Sequence, residues 1–147
     1  MFSSIVVGTD GSETAGEAVR QATELANAVG GRIHLVSAFE PVGSQRLREE
    51  RVEAPDDVQW MVNEREDVDA TLRDAAEKIQ EADVEVEIYA RQGDPADAIL
   101  DVAEEQGADL IIVGNKGMTG AKRFLLGSVP NKVSHHAPCS VMIIRTT

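Results

Sequence analysis

The sequence predicts an α/β fold, a five-stranded parallel open sheet in the order 3-2-1-4-5 with helices on both faces. Three observations predict it. Apolar runs alternate with amphipathic helical stretches along the chain, β-α-β-α-β-α-β-α-β, the pattern of a mostly parallel sheet joined by right-handed crossovers. The runs Ile5–Val7 and Leu110–Val113 are continuously apolar, as strands buried on both faces are. A length of 147 residues suits one domain with a real core, so residues 1–147 read as a single unit.

Each element has its own signal. Ser4 to Thr9 reads as the first strand, and Asp10-Gly11-Ser12 as a turn and helix cap. The first helix spans Glu13 to Val29, with Ala15, Ala18, Val19, Ala22, Ala26 and Val29 on one face, and Gly30-Gly31 ends it. Arg32 to Phe39 is the second strand, where His34 reads as a strand-edge or surface residue. Glu40 to Pro55 is a long polar loop to which no chemistry is assigned. A helix from Asp57 to Ala82 carries the stripe Val58, Met61, Val62, Val68, Leu72, Ala75, Ala76 and Ile79, with Trp60 somewhat off it. Val84 to Ala90 alternates apolar and polar residues, as a half-buried edge strand does. Asp94 caps the next helix, with Pro95 at its first position and Asp97 placed like a capping-box acid. Ala96, Ile99, Leu100 and Ala103 form its buried face, and Gly107 ends it. After Leu110–Val113 comes a short helix over Ser128 to His135, then a last strand, Cys139 to Ile144.

Composition excludes several classes of function. The net charge of −12 and a pI near 4.6 repel nucleic acid and anionic membranes. No apolar run is long enough to span a bilayer, and the N-terminus carries no basic leader. One cysteine, Cys139, forms no internal disulfide and fits a reducing cytoplasm, packing rather than acting as a nucleophile. His135-His136 is not a metal pair, because neighbouring helix residues point about 100° apart. The acidic balance, scarce lysine and 3% aromatic content resemble those of proteins from salt-loving organisms.

The stretch with the most chemistry follows the fourth strand: Gly114-x2-Gly117-x9-Gly127-Ser128. A buried strand, a glycine-rich loop and a helix start form an arrangement that binds phosphate through inward N–H groups and the helix dipole. Three of the four lysines, Lys116, Lys122 and Lys132, fall in or just after it, and Arg123 adds a further cation. It is neither a Walker A loop nor a G-x-G-x-x-G fingerprint. In the order 3-2-1-4-5 the first and fourth strands are neighbours, so the turn Gly8-Thr9-Asp10 and the loop from Gly114 line one crevice at their carboxyl ends.

These residues resemble the universal stress protein family, in its ATP-binding branch with the motif G-x2-G-x9-G-[ST]. The resemblance is carried by Ile5–Ser12, Gly93-Asp94-Pro95-Ala96, Ala108–Gly114, Gly117, Gly127-Ser128-Val129 and Ala137–Val141. It implies a Rossmann-like fold and ATP in the crevice. Thr9 and Asp10 match base-side contacts, and Ala38 matches a contact from the second strand. Val113, Gly114 and Gly117 match the ribose and phosphate loop. Gly127, Ser128 and Val129 match the phosphate-holding helix start. Mg2+ or Mn2+ would bridge the phosphates, with no metal site made by the protein alone. The resemblance also implies a homodimer through the last strand, Val141–Ile144. Asn115-Lys116 departs from the pair frequent between the first two glycines but keeps the spacing.

The function these features support is a cytoplasmic ATP-binding regulatory or stress-response protein, acting by binding, with at most weak ATP hydrolysis. No pair of positioned base and nucleophile is present to name as catalytic. The alternatives are a nucleotide-free dimeric interaction module and a nucleotide-transfer enzyme on a related scaffold. The latter lacks its serine-rich loop or H-x-G-H pair here.

Overall fold

The structure is a computed structural model that describes residues 1–39, 65–115 and 127–146. Its strands are β1 (Ser4–Gly8), β2 (Arg32–Phe39), β3 (Val86–Gln92), β4 (Leu110–Gly114) and β5 (Ser140–Ile144). Its helices are α1 (Glu13–Val29), α2 (Arg65–Glu81), α3 (Pro95–Glu105) and α4 (Ser128–His136). The strands form one sheet in the order β3-β2-β1-β4-β5, and every pairing is parallel. The expected α/β architecture and strand order are those observed.

The central strands are apolar on both faces because each face has its own core. Ile5, Val7, Ile33, Leu35, Leu110 and Ile112 point to one side, where Ala18, Ala22 and Ala26 of α1 and Val68, Leu72 and Ile79 of α2 cover them. Val6, Val36, Ile111 and Val113 point to the other, under Ile99 and Val102 of α3 and Val133 of α4. The period-2 alternation of side chains thus sorts the same apolar strands into two layers. The alanines of α1 let its backbone lie close on the sheet.

Local capping matches the residues that announced it. Ser12 Oγ accepts the Ala15 N–H at 3.2 Å, and an Asp94 carboxylate oxygen accepts the Asp97 N–H at 3.0 Å. The Asp97 carboxylate goes elsewhere than a capping box would send it, to Lys132 Nζ at 2.9 Å. Gly30 closes α1 in the left-handed region at φ 73°.

Four readings are corrected. The third strand begins at Val86, not Val84, because Asp83 turns left-handed after α2 (φ 60°) and Val84 folds back on Ile79, its N–H 3.4 Å from the Ile79 carbonyl. An apolar residue just past a helix end packs on that helix before any strand starts. Ile88, read as inward, is 38% exposed on this edge strand. Val29, assigned to the buried face of α1, is also exposed, and Thr23 is buried in that helix instead, its hydroxyl on the Val19 carbonyl at 2.8 Å. His34 is neither on an edge nor at the surface: β2 lies between β1 and β3, and the ring is 2% exposed. It is tolerated there because Nδ1 meets the Tyr89 hydroxyl at 3.0 Å, which in turn donates to Glu87 at 2.7 Å. The expected loop 40–55, the helical stretch 57–64 and Trp60 lie outside the described residues.

Candidate functional site

β1 and β4 are adjacent, yet the chain leaves them toward opposite faces. From β1 it enters α1, which covers the first core layer, and from β4 it goes on to α4, which covers the second. α1 and α4 thus lie on opposite faces, and a crevice lies at the carboxyl ends of both strands, where ligands of open α/β sheets bind. The crevice opens to solvent and encloses about 10 Å³. Gly8, Val113 and Gly114 form its floor with Ile99 of α3, Thr14 and Ala15 of α1 stand on one side, and Val129 and Thr146 stand on the other. Gly8 is needed for this floor: a Cβ there would lie 2.5 Å from Ile99 Cδ1.

The β1–α1 turn is built by its own side chains. Thr9 is buried and donates its N–H to the Val36 carbonyl at 3.0 Å, which carries the β2 register one step past β1. Its hydroxyl oxygen accepts the Gly11 N–H at 3.2 Å, and Asp10 Oδ1 accepts the Ser12 N–H at 2.9 Å. Gly11 takes φ 83°, and a Cβ on it would meet Thr71 of α2 at 2.8 Å, so both backbone and neighbour require glycine. Asp10 therefore has a structural job in the turn and is half-buried there.

The end of β4 meets the start of α4 through the pair Asn115 and Gly127. The Gly127 N–H donates to the Asn115 carbonyl at 3.0 Å, which brings the start of α4 to the end of β4. Gly127 is the N-cap of α4, and no side chain among the described residues caps that helix. The N–H groups of Ser128 and Val129 thus open a helix whose dipole favours an anion. Ser128 is exposed and Val129 buried.

Of the residues read from the sequence, Val113, Gly114 and Val129 line the crevice directly. Thr9 and Asp10 follow Gly8 in the chain, and Gly127 and Ser128 precede Val129. Ala38 does not line it: half-buried near the end of β2, it packs against the α3-side core. Gly117, Lys116, Lys122 and Arg123 lie outside the described residues. Lys132, expected to serve an anion site, is held by Asp97 at 2.9 Å and Asp94 at 3.4 Å, and the Asp97 contact is the main reason its pKa is raised. It ties α4 to the start of α3. His135 and His136 are exposed, their rings 6.5 Å apart. Cys139 is half-buried against the α3-side core, and burial raises its thiol pKa.

Sequence reading missed Ile99, Asn115 and Thr146. Ile99 looked like any core position of a helix. Asn115 and Thr146 meet only because β5 pairs with β4 in one register, Gly114 opposite Ile144.

Comparison with known proteins agrees with this architecture. The sequence model of the universal stress protein family matches residues 1–145. Universal stress protein Rv1636 of Mycobacterium tuberculosis is 35% identical over 150 residues, covering 99% of this chain and 98% of that protein. The crystal structure of a universal stress protein in complex with cAMP superposes with a TM-score of 0.73 at 29% identity, covering 99% of this chain and 98% of the other. The universal stress protein from Archaeoglobus fulgidus in complex with dAMP gives 0.67 at 28% identity, with 98% of each chain covered. With the parallel sheet, the switch-point crevice and the glycine-capped helix in place, the match over nearly the full length makes this chain a member of the universal stress protein family.

Proposed function

We propose that the crevice binds an adenine nucleotide, ATP with a divalent cation, and that the protein works as a nucleotide-dependent regulator in stress response rather than as an efficient catalyst. The observation that carries this reading is the meeting of the α4 start, Gly127-Ser128-Val129, which no described side chain caps, with the β1–α1 turn across a floor of glycines. The α4 amides and the Ser128 hydroxyl would receive phosphate, and Thr9 and Asp10 would face the base side. The cAMP and dAMP complexes of the related structures are consistent with an adenine ligand.

Among the described residues no group of three or more His, Cys, Asp or Glu is placed to hold a metal ion. Magnesium or manganese would enter with the phosphates, and the Asp10 carboxylate and the Ser128 hydroxyl are the oxygen donors this reading offers it. A homodimer through the edge strand β5 belongs to the same proposal.

The test is direct. Protein purified without added nucleotide is denatured and its supernatant assayed for adenine nucleotides, then native protein is titrated with ATP and magnesium. Bound ATP, or saturable uptake, is expected. The Gly127→Val variant should lose it while keeping its circular dichroism spectrum. The Gly127 backbone, φ −66° and ψ 169°, suits any residue, so the substitution brings no backbone strain of its own. A wild-type protein silent in both assays would leave the interaction-module reading in its place.

A further inference from the structure

The crevice has a wall on the β5 side, apart from the β1–α1 turn. β5 ends with Ile144 opposite Gly114. The Asn115 N–H donates to the Ile144 carbonyl at 2.9 Å, the last main-chain rung. The Asn115 side chain then adds another: Oδ1 accepts the Thr146 N–H at 2.9 Å and the Thr146 hydroxyl at 3.1 Å. An amide oxygen stands in for a main-chain acceptor, and the pairing extends past the strand. Thr146 is thereby held half-buried over Gly114, its Cγ2 3.5 Å from where a Cβ on Gly114 would stand. It lines the crevice beside Val113. Asn115 also accepts the Gly127 N–H, so one residue fixes both this wall and the start of α4.

We propose that Thr146 is a ligand-contacting residue of the crevice and that Asn115 is the residue that positions it. The chemistry of the contact follows from the hydrogen bonds. The Thr146 hydroxyl spends its proton on Asn115, so the oxygen that remains offers lone pairs only. It receives a donor and repels phosphate oxygens; an adenine nucleotide offers the sugar hydroxyls and the amino group of the base, and with the base toward Thr9 and Asp10, as proposed above, the sugar hydroxyls are the donors left for Thr146. Thr146 therefore selects for the ribose, a role that rests on the nucleotide reading above.

The experiment compares ATP with 2′,3′-dideoxy-ATP, each with magnesium, by isothermal titration calorimetry. Wild-type protein should prefer ATP by roughly three- to tenfold, the worth of about one ordinary hydrogen bond. Thr146→Val and Asn115→Ala should both abolish the preference while still binding the dideoxy analogue. A change in preference is not something loss of stability alone produces. Thr-methyl-labelled wild-type protein adds a readout that needs no variant, an intermolecular NOE from the Thr146 methyl to the bound ribose. Equal wild-type affinity for the two nucleotides, a preference that survives both substitutions, or ribose signals with no NOE to Thr146 would each overturn this proposal and leave the nucleotide reading standing. A wild-type protein that binds neither ligand overturns both.

Discussion

Asp10 carries two jobs that one substitution can separate. Its Oδ1 accepts the Ser12 N–H, and asparagine supplies the same oxygen without the charge. If the carboxylate faces ligand or cation, Asp10→Asn lowers nucleotide affinity while leaving the melting temperature unchanged. Asp10→Ala lowers both, with a stability cost of about 1 kcal/mol for the lost turn bond. Calorimetry beside thermal melts decides it; an Asn variant with wild-type affinity would confine Asp10 to the turn. His34 sets a pH dependence of its own. Burial is the main cause holding its pKa below the ordinary 6.5. Below about that pH the unfolded chain takes up a proton that the native ring resists, so stability is fully present above it and falls as the pH drops. Chemical denaturation between pH 7.5 and 5 should show this slope, and His34→Gln should flatten it. The Tyr89 hydroxyl that holds the ring is itself pushed up to about 12, chiefly by burial and then by its bond to Glu87. At this scale the sequence was legible where chemistry is local. Ser12, Asp94 and Gly30 announced their caps because capping partners lie within a few residues. Asn115, Thr146 and His34 did not, because their partners lie 31 and 55 positions away and meet only through strand register.

Elements were legible where their pattern is strong and their ends are punctuated. α1 and β2 are observed with the bounds the sequence set, since Gly30-Gly31 divides them. β3 slipped by two residues because the apolar Val84 serves α2 rather than the sheet. The exposed pairs across the helices, such as Arg20 with Glu17 and Glu24, add little individually. The edge strand β5 invites a test of the proposed dimer. The Ile144 carbonyl is taken by β4, so by alternation the N–H of Ile143 points away from the sheet. Ile143→Pro would remove a donor from that outer edge without breaking the β4 ladder. Sedimentation velocity should then report a monomer where the wild type sediments as a dimer. An unchanged sedimentation coefficient would place any dimer contact elsewhere.

For the whole molecule, alternation gave the fold class, and the third strand gave the order: 2-1-3-4-5 and 3-2-1-4-5 both bury the first and fourth strands, but only 3-2-1-4-5 leaves the half-buried third strand at an edge. Charge is the other property of this scale. With 26 acidic and 14 basic side chains, repulsion outweighs the scattered surface pairs. Salt screens both, but the excess is repulsive, so the net effect of screening is stabilising. Thermal melts should rise from low salt to molar KCl, and a flat or falling series would show that the surface pairs dominate instead.

The hydrogen bond from Gly127 to Asn115 has a consequence for engineering. It joins the two residues that flank positions 116–126, Gly127 N–H to Asn115 carbonyl at 3.0 Å, on a frame fixed by β4, β5 and α4. Closing a longer segment across such a gap costs little, about 0.6 kcal/mol for each doubling of its length. Foreign peptides or a reporter domain grafted between Asn115 and Gly127 should therefore leave the sheet folded, and would turn the mouth of the crevice into a port for sensors.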